Sequence, residues 1–94
     1  MRTIEWSNLF KRDYKRIKAN PRYKKDLDLL ISDLLDLLLA DKILPERNHD
    51  HALTGNWRGY RECHIKPDLL LIYYKPNPTT LRLARLGTHS ELFD

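Results

Sequence analysis

Apolar positions follow a helical period in the first part of the chain and a two-residue period in the last. Arg2–Trp6 (R-T-I-E-W) is short, β-branched and aromatic, and predicts a strand. Ser7 stands where a helix N-cap is wanted, and Phe10, Tyr14 and Ile17 follow at i, i+4 and i+7 as a narrow apolar stripe. Asn20-Pro21 ends that helix, because proline disfavours helical backbone in the residue before it. Leu27, Leu30, Ile31, Leu34, Leu35 and Leu38 recur at spacings of three and four, which predicts a second helix from about Arg22 to Ala40 that supplies most of the core.

Residues 41–57 read as a loop punctuated by Pro45, Asn48 and Gly55. It is longer than most connections in a compact domain, and loops of that length are often functional. Three strands follow: Tyr60–Ile65, which alternates, Leu69–Tyr74, a continuous apolar run suited to a central position, and Leu81–Leu86. The connections through Lys66-Pro67 and Pro76-Asn77-Pro78 are short, so the three strands form an antiparallel meander, and Thr88–Phe93 adds a helical turn. The predicted fold class is α+β, in the order β-α-α-β-β-β, with a helical hairpin on one face of a small, mainly antiparallel sheet. Residues 1–94 make one domain with a single core.

Charge changes this picture. The chain carries a net charge of +4, and residues 11–25 hold Lys11, Arg12, Lys15, Arg16, Lys18, Arg22, Lys24 and Lys25 against Asp13 alone. Such a block attracts polyanions in a salt-dependent way, although a solvated helix face is an equal reading. A single cysteine, Cys63, cannot close an internal disulfide and suggests a reducing compartment. Residues 1–20 lack the long apolar run of a signal peptide, and Asp28, Asp33 and Asp36 break the leucine-rich segment. A cytoplasmic protein without a membrane span is expected.

Chemistry concentrates between His49 and Asp68, which holds three of the four histidines. Alternation places Tyr60, Glu62 and His64 on the open face of their strand, and Arg61, Cys63 and Ile65 on the helix-covered one. His51 precedes that strand, Asp68 opens the next, and His89 and Phe93 follow the last, so all can meet at one end of the sheet. Paired imidazoles suit metal-free RNA cleavage, one as base toward a ribose 2′-hydroxyl and one as acid toward the departing 5′-oxygen. Arg82 and Arg85 on the last strand offer positive charge to phosphoryl oxygens. A lone histidine is more often a plain polar residue, and His49, Asp50, His51 and His64 also admit a zinc or nickel reading, on the weak signal of H-x-H in a loop.

Two stretches carry a family resemblance: H-A-L-T-G-N-W-R-G-Y-R-E-C-H-I-K-P-D-L-L-L-I-Y from His51, and R-L-G-T-H-S-E-L-F from Arg85. Together they resemble the YafQ group of RelE-superfamily toxins from bacterial type II toxin–antitoxin systems. The resemblance implies a RelE-like fold and a ribosome-dependent endoribonuclease that cuts mRNA without metal or other cofactor. It points to His51, His64, Asp68, His89 and Phe93 as catalytic or substrate-positioning, with His51 as base and His89 as acid. Glu62 falls at a position that is acidic in the pattern, and His49 lies outside it. Leu69 departs from the aromatic familiar after the aspartate, which removes a base-stacking platform there. The implied partners are a cognate antitoxin, the ribosome with its 16S RNA, and mRNA. Lys11, Arg12, Lys15 and Arg16 are the residues expected to meet RNA. The implied assembly is a monomer when free and a heterotetramer or larger with antitoxin. The alternatives are a gyrase-poisoning toxin on the same scaffold, which lacks this histidine set, and a non-catalytic RNA-binding module, which has no need of His51 with His89.

Overall fold

The computed structural model describes residues 2–93. Strand β1 (Thr3–Trp6) leads into helix α1 (Asn8–Ala19) through Ser7, whose Oγ accepts the Phe10 amide at 2.9 Å and donates to the Ala84 carbonyl at 2.7 Å. The cap therefore both starts the helix and ties it to the sheet. Asn20 closes α1 and caps the short helix α2 (Pro21–Lys24), with its side chain accepting the Arg22 amide.

The second helix is not continuous as expected. It breaks at Lys25-Asp26 and resumes as α3 (Leu27–Leu39). The break lets Tyr23 turn inward and become buried, its hydroxyl donating to Asp68 at 2.8 Å, while Lys66 pairs with Asp26 at 3.1 Å. Tertiary partners here override a helical pattern that the leucines alone would sustain.

The rest of the sheet comprises β2 (His51–Ala52), β3 (Arg61–Lys66), β4 (Leu69–Asn77) and β5 (Thr80–Gly87), and helix α4 (His89–Phe93) ends the described chain. The strand order is β1-β5-β4-β3-β2. The expected meander β3-β4-β5 is antiparallel, and β1 lies parallel beside β5, so the sheet is mixed. Residues 41–57 are more structured than a loop: they hold 3₁₀ turns at Glu46–Asn48 and Gly55–Trp57, and the two-residue strand β2 on the sheet edge. No helix among the described residues is long and apolar enough to cross a membrane.

The main core lies between the sheet and the helices. Phe10, Ile17, Leu27, Leu34 and Leu38 pack on Cys63, Leu69, Leu71, Leu81, Leu83 and Leu86. The opposite face, expected to be open, carries a second apolar cluster: Leu70, Ile72, Ala84 and Leu92, edged by Leu53, Trp57, Tyr60 and Phe93. Strand β4 is therefore buried on both sides, as its unbroken apolar run suggests, and α4 and the segment before β3 have a surface to rest on.

A carboxylate sits inside the main core's edge. Asp13, on the apolar side of α1, is 2 % exposed. It accepts from Arg85 Nε at 2.7 Å, Arg16 Nη1 at 2.9 Å and the Leu86 amide at 3.0 Å. Strand β1 pairs with β5 only as far as Leu83, so Leu86 lies beyond that pairing and its amide is taken by this carboxylate.

Candidate active site

Strands β2, β3 and β5 and helix α4 bring His51, His64, His89 and Phe93 to one face and one end of the sheet, and leave Asp68 and Arg85 with partners on the helix side. His51 on β2 lies directly opposite Glu62 on β3, and His64 is two residues further along the same face. His64 is in register with Leu70, and Leu70 with Gly87, so β5 ends level with His64 two strands away, a separation of roughly 10 Å at ordinary strand spacing. His89 follows two residues later at the start of α4.

The imidazoles are oriented by backbone carbonyls. His51 Nδ1 lies 2.7 Å from the His49 oxygen and His64 Nδ1 lies 3.2 Å from the Pro67 oxygen. A carbonyl only accepts, so both rings carry a proton on Nδ1 and turn Nε2 toward the site. Between the two Nε2 atoms sits Glu62, 5 % exposed, with Oε1 at 3.9 Å from His51 and 3.5 Å from His64. Neutral rings bonded in this way present lone pairs as bases, and a protonated ring meets a carboxylate.

His89 is placed by a reciprocal cap. The Glu91 amide donates to Thr88 Oγ1 at 3.2 Å, and Glu91 Oε1 accepts the Thr88 amide at 2.8 Å. Glu91 also pairs with Arg16 at 3.0 Å, which straps α4 to α1. The Thr88 amide holds the Glu91 carboxyl below its usual range, outweighing burial, with Arg16 adding to the effect. The junction at Gly87 is tight: a Cβ there would lie 3.0 Å from Glu91 Oε1, 3.2 Å from Arg16 Nη2 and 3.3 Å from a Leu92 methyl, so these side chains would have to give way slightly. Phe93, one turn beyond His89, sets its ring 5.0 Å from the imidazole. The T-x-x-E spacing was available in the sequence as a helix-start signal.

Asp68 sits in the β3–β4 turn and is held from the helix side, by Tyr23 and by Arg22 at 2.6 Å. Burial and then this hydrogen bond push the Tyr23 phenol up, so it remains a donor at neutral pH. Leu69 is fully buried in the main core and offers no surface for a base.

The arginines divide. Arg85 spends Nε and Nη2 on buried Asp13, which makes it scaffold, whereas Arg82 makes a solvent-exposed pair with Glu5 at 2.8 Å. In the basic block, Lys11, Arg12 and Lys15 are exposed, and Arg16 is engaged with Asp13 and Glu91.

The family pattern leaves out His49, and Asp50 enters the sequence reading only as a candidate metal ligand. The His49 ring meets the His64 ring edge-on at 5.2 Å, and Asp50 accepts from Tyr73 and Arg61. Among the described residues, no group of three or more His, Cys, Asp or Glu side chains is gathered so as to hold a metal ion. Cys63 is buried, and burial pushes its thiol well above the usual value.

A mixed five-stranded sheet carries α1, α2 and α3 on one face and, on the other, α4 together with two carbonyl-oriented imidazoles. The family described as the bacterial toxin of type II toxin–antitoxin systems, YafQ, matches residues 2–94. The mRNA interferase toxin YafQ of Escherichia coli strain K12 is 40% identical over 93 residues, covering 98% of this chain and 96% of that protein. Crystallised YafQ from E. coli strain BL21(DE3) superposes with a TM-score of 0.84 at 36% identity, covering 100% of both chains. A chain of the E. coli DinJ-YafQ complex matches with a TM-score of 0.83 at 37% identity, again over 100% of both. This chain belongs to the YafQ family of type II toxins.

Proposed function

We propose that this protein is an mRNA interferase: a ribosome-dependent endoribonuclease that cuts mRNA by acid–base catalysis without a metal, held inactive by a cognate antitoxin. The observation that carries the reading is Glu62 buried between the Nε2 atoms of His51 and His64, each ring fixed through Nδ1 by a backbone carbonyl. The relatives' names support the activity and, through the DinJ-YafQ complex, an antitoxin partner.

In this reading His51 Nε2 takes the proton from a ribose 2′-hydroxyl, whose oxygen attacks the adjacent phosphorus. The bond from phosphorus to the 5′-oxygen breaks, and His89 delivers a proton to that oxygen. The products are a 2′,3′-cyclic phosphate and a 5′-hydroxyl. His64, backed by Glu62, faces the phosphoryl oxygens, and Asp68 orients the 2′-hydroxyl or a neighbouring group. Phe93 supports His89 and presents an aromatic face to a base. Arg82, Lys11, Arg12 and Lys15 meet RNA backbone, and the ribosome positions the message. The site of action is the cytoplasm, with a monomer when free and a heterotetramer or larger with antitoxin.

The test is purified protein with ribosomes and a defined mRNA, with and without EDTA treatment of the protein. Cleavage that needs ribosomes, survives the treatment and leaves a 5′-hydroxyl supports the reading. A 5′-phosphate product that depends on metal at the enzyme overturns it.

A further inference from the structure

His49, Asp50 and His51 are consecutive, yet they serve both faces of the sheet. His51 lies opposite Glu62 on the face with the second cluster, whereas Asp50 reaches groups on the helix-covered side. There Tyr73, buried in the main core, donates its hydroxyl to Asp50 Oδ1 at 2.6 Å. Arg61, directly opposite Tyr73 in the ladder, donates from Nε at 3.3 Å and Nη2 at 3.2 Å. Burial and then the Asp50 hydrogen bond push the Tyr73 phenol up, which keeps it a donor.

The segment needs such an anchor. Strand β2 is two residues long, His51–Ala52, and a slip of one residue would turn His51 to the other face. His49, immediately before Asp50, adopts left-handed backbone with φ of 46°, a conformation that costs a non-glycine residue free energy and persists only where surroundings hold it. That backbone aims the His49 carbonyl at His51 Nδ1, at 2.7 Å, and sets the His49 ring on His64.

We propose that Asp50, gripped by Tyr73 and Arg61, is a positioning residue that fixes His51 in register with Glu62 and, through the His49 carbonyl, selects the His51 tautomer with its lone pair on Nε2. The catalytic consequence rests on the RNA-cleavage reading; the tautomer is a property of the free protein. Tyr73→Phe removes one hydrogen bond with little change in packing, Asp50→Asn removes the charge facing Arg61, and Asp50→Ala removes both interactions. The ring ¹⁵N shifts of His51 in free protein report the tautomer, and ribosome-dependent cleavage reports kcat and KM. Wild-type protein is expected in the Nδ1–H form, with Tyr73→Phe and Asp50→Ala mixing in the Nε2–H form. For these two, kcat should fall about 10-fold or more at nearly unchanged KM, as misplacement of a reacting group does. If Asp50→Ala does not fold, Tyr73→Phe decides. Retention of the pure Nδ1–H tautomer in folded Tyr73→Phe overturns the proposal, and so does an unchanged kcat. Should wild-type protein cleave nothing with ribosomes, the functional reading fails separately and the tautomer measurement still decides this one.

Discussion

Glu62 Oε1 lies 3.5 Å from His64 Nε2 on the same strand face, and the same oxygen faces His51 Nε2 at 3.9 Å. Two imidazoles, each oriented through Nδ1 by a backbone carbonyl, thus share one buried carboxylate as a neighbour. Glu62→Gln keeps the volume and removes the charge. Its cleavage rate should drop about 10²-fold, the cost typical of a lost orienting group, while antitoxin binding and the melting temperature stay near wild type. A wild-type rate in Glu62→Gln would show that the two rings need no shared anion.

Asp13 carries the largest predicted effect on stability. Burial alone pushes its carboxyl up, but hydrogen bonds from Arg85, the Leu86 amide and Arg16 outweigh burial and hold it below its usual value. A depressed carboxyl stabilises the fold fully above the unfolded value, about 4, and that contribution is lost as pH falls through the lower folded value. Asp13→Asn leaves Arg85 without its charged partner and should cost about 3–5 kcal/mol at pH 7. Urea unfolding of both proteins at pH 7 and pH 3 checks this: the gap between them should narrow in acid. A gap that is small at pH 7, or that widens in acid, would contradict the assignment.

This carboxylate also shows where the sequence stopped being legible. Phe10, Tyr14 and Ile17 disclose the buried stripe of α1, but Asp13 on that stripe looks like a breach of it until β5, beyond its pairing with β1, supplies the Leu86 amide and Arg85 to receive it. The meander was readable because short connections leave its strands little choice, and so was the face shared by Glu62 and His64, which follows from alternation. The parallel pairing of β1 with β5, the break before Leu27 and the two-residue β2 were not, since each depends on partners distant in the chain. Among site residues, His51 and His64 announced themselves by type and spacing. Asp50 did not, because its role lies in Tyr73 and Arg61, which reach it only across the fold.

The basic helix tests the RNA-binding reading with a distinction the sequence alone did not make. Lys11, Arg12 and Lys15 are exposed, whereas Arg16 bridges Asp13 and Glu91. Neutralising the three exposed positions together should weaken ribosome association and flatten its dependence on salt, by up to about 0.7–0.9 in logarithmic slope for each phosphate that the variant no longer neutralises. Exposed charges contribute little to folding, so stability should hardly change. Arg16→Ala should behave differently, loosening α4 and lowering the melting temperature. Equal salt slopes for wild type and the triple variant would return these residues to a solvated face.

The division of labour between His51 and His89 gives the sharpest kinetic expectation. His51 is oriented by a carbonyl and faces Glu62, while His89 opens α4 under the Thr88–Glu91 cap and rests against Phe93. Acid and base groups contribute about 10²–10⁴-fold each, so His51→Ala and His89→Ala should each lose that much in cleavage with folding intact. Because both act in one transition state, the double variant should lose less than the product of the single effects. Phe93→Leu keeps an apolar side chain in the second cluster but removes the ring facing His89, and should lower kcat by a smaller factor than His89→Ala. Activated substrates separate the two roles: with a leaving group that needs no proton, His89→Ala should recover rate and His51→Ala should not. Recovery in His51→Ala, with none in His89→Ala, would reverse the assignment of acid and base.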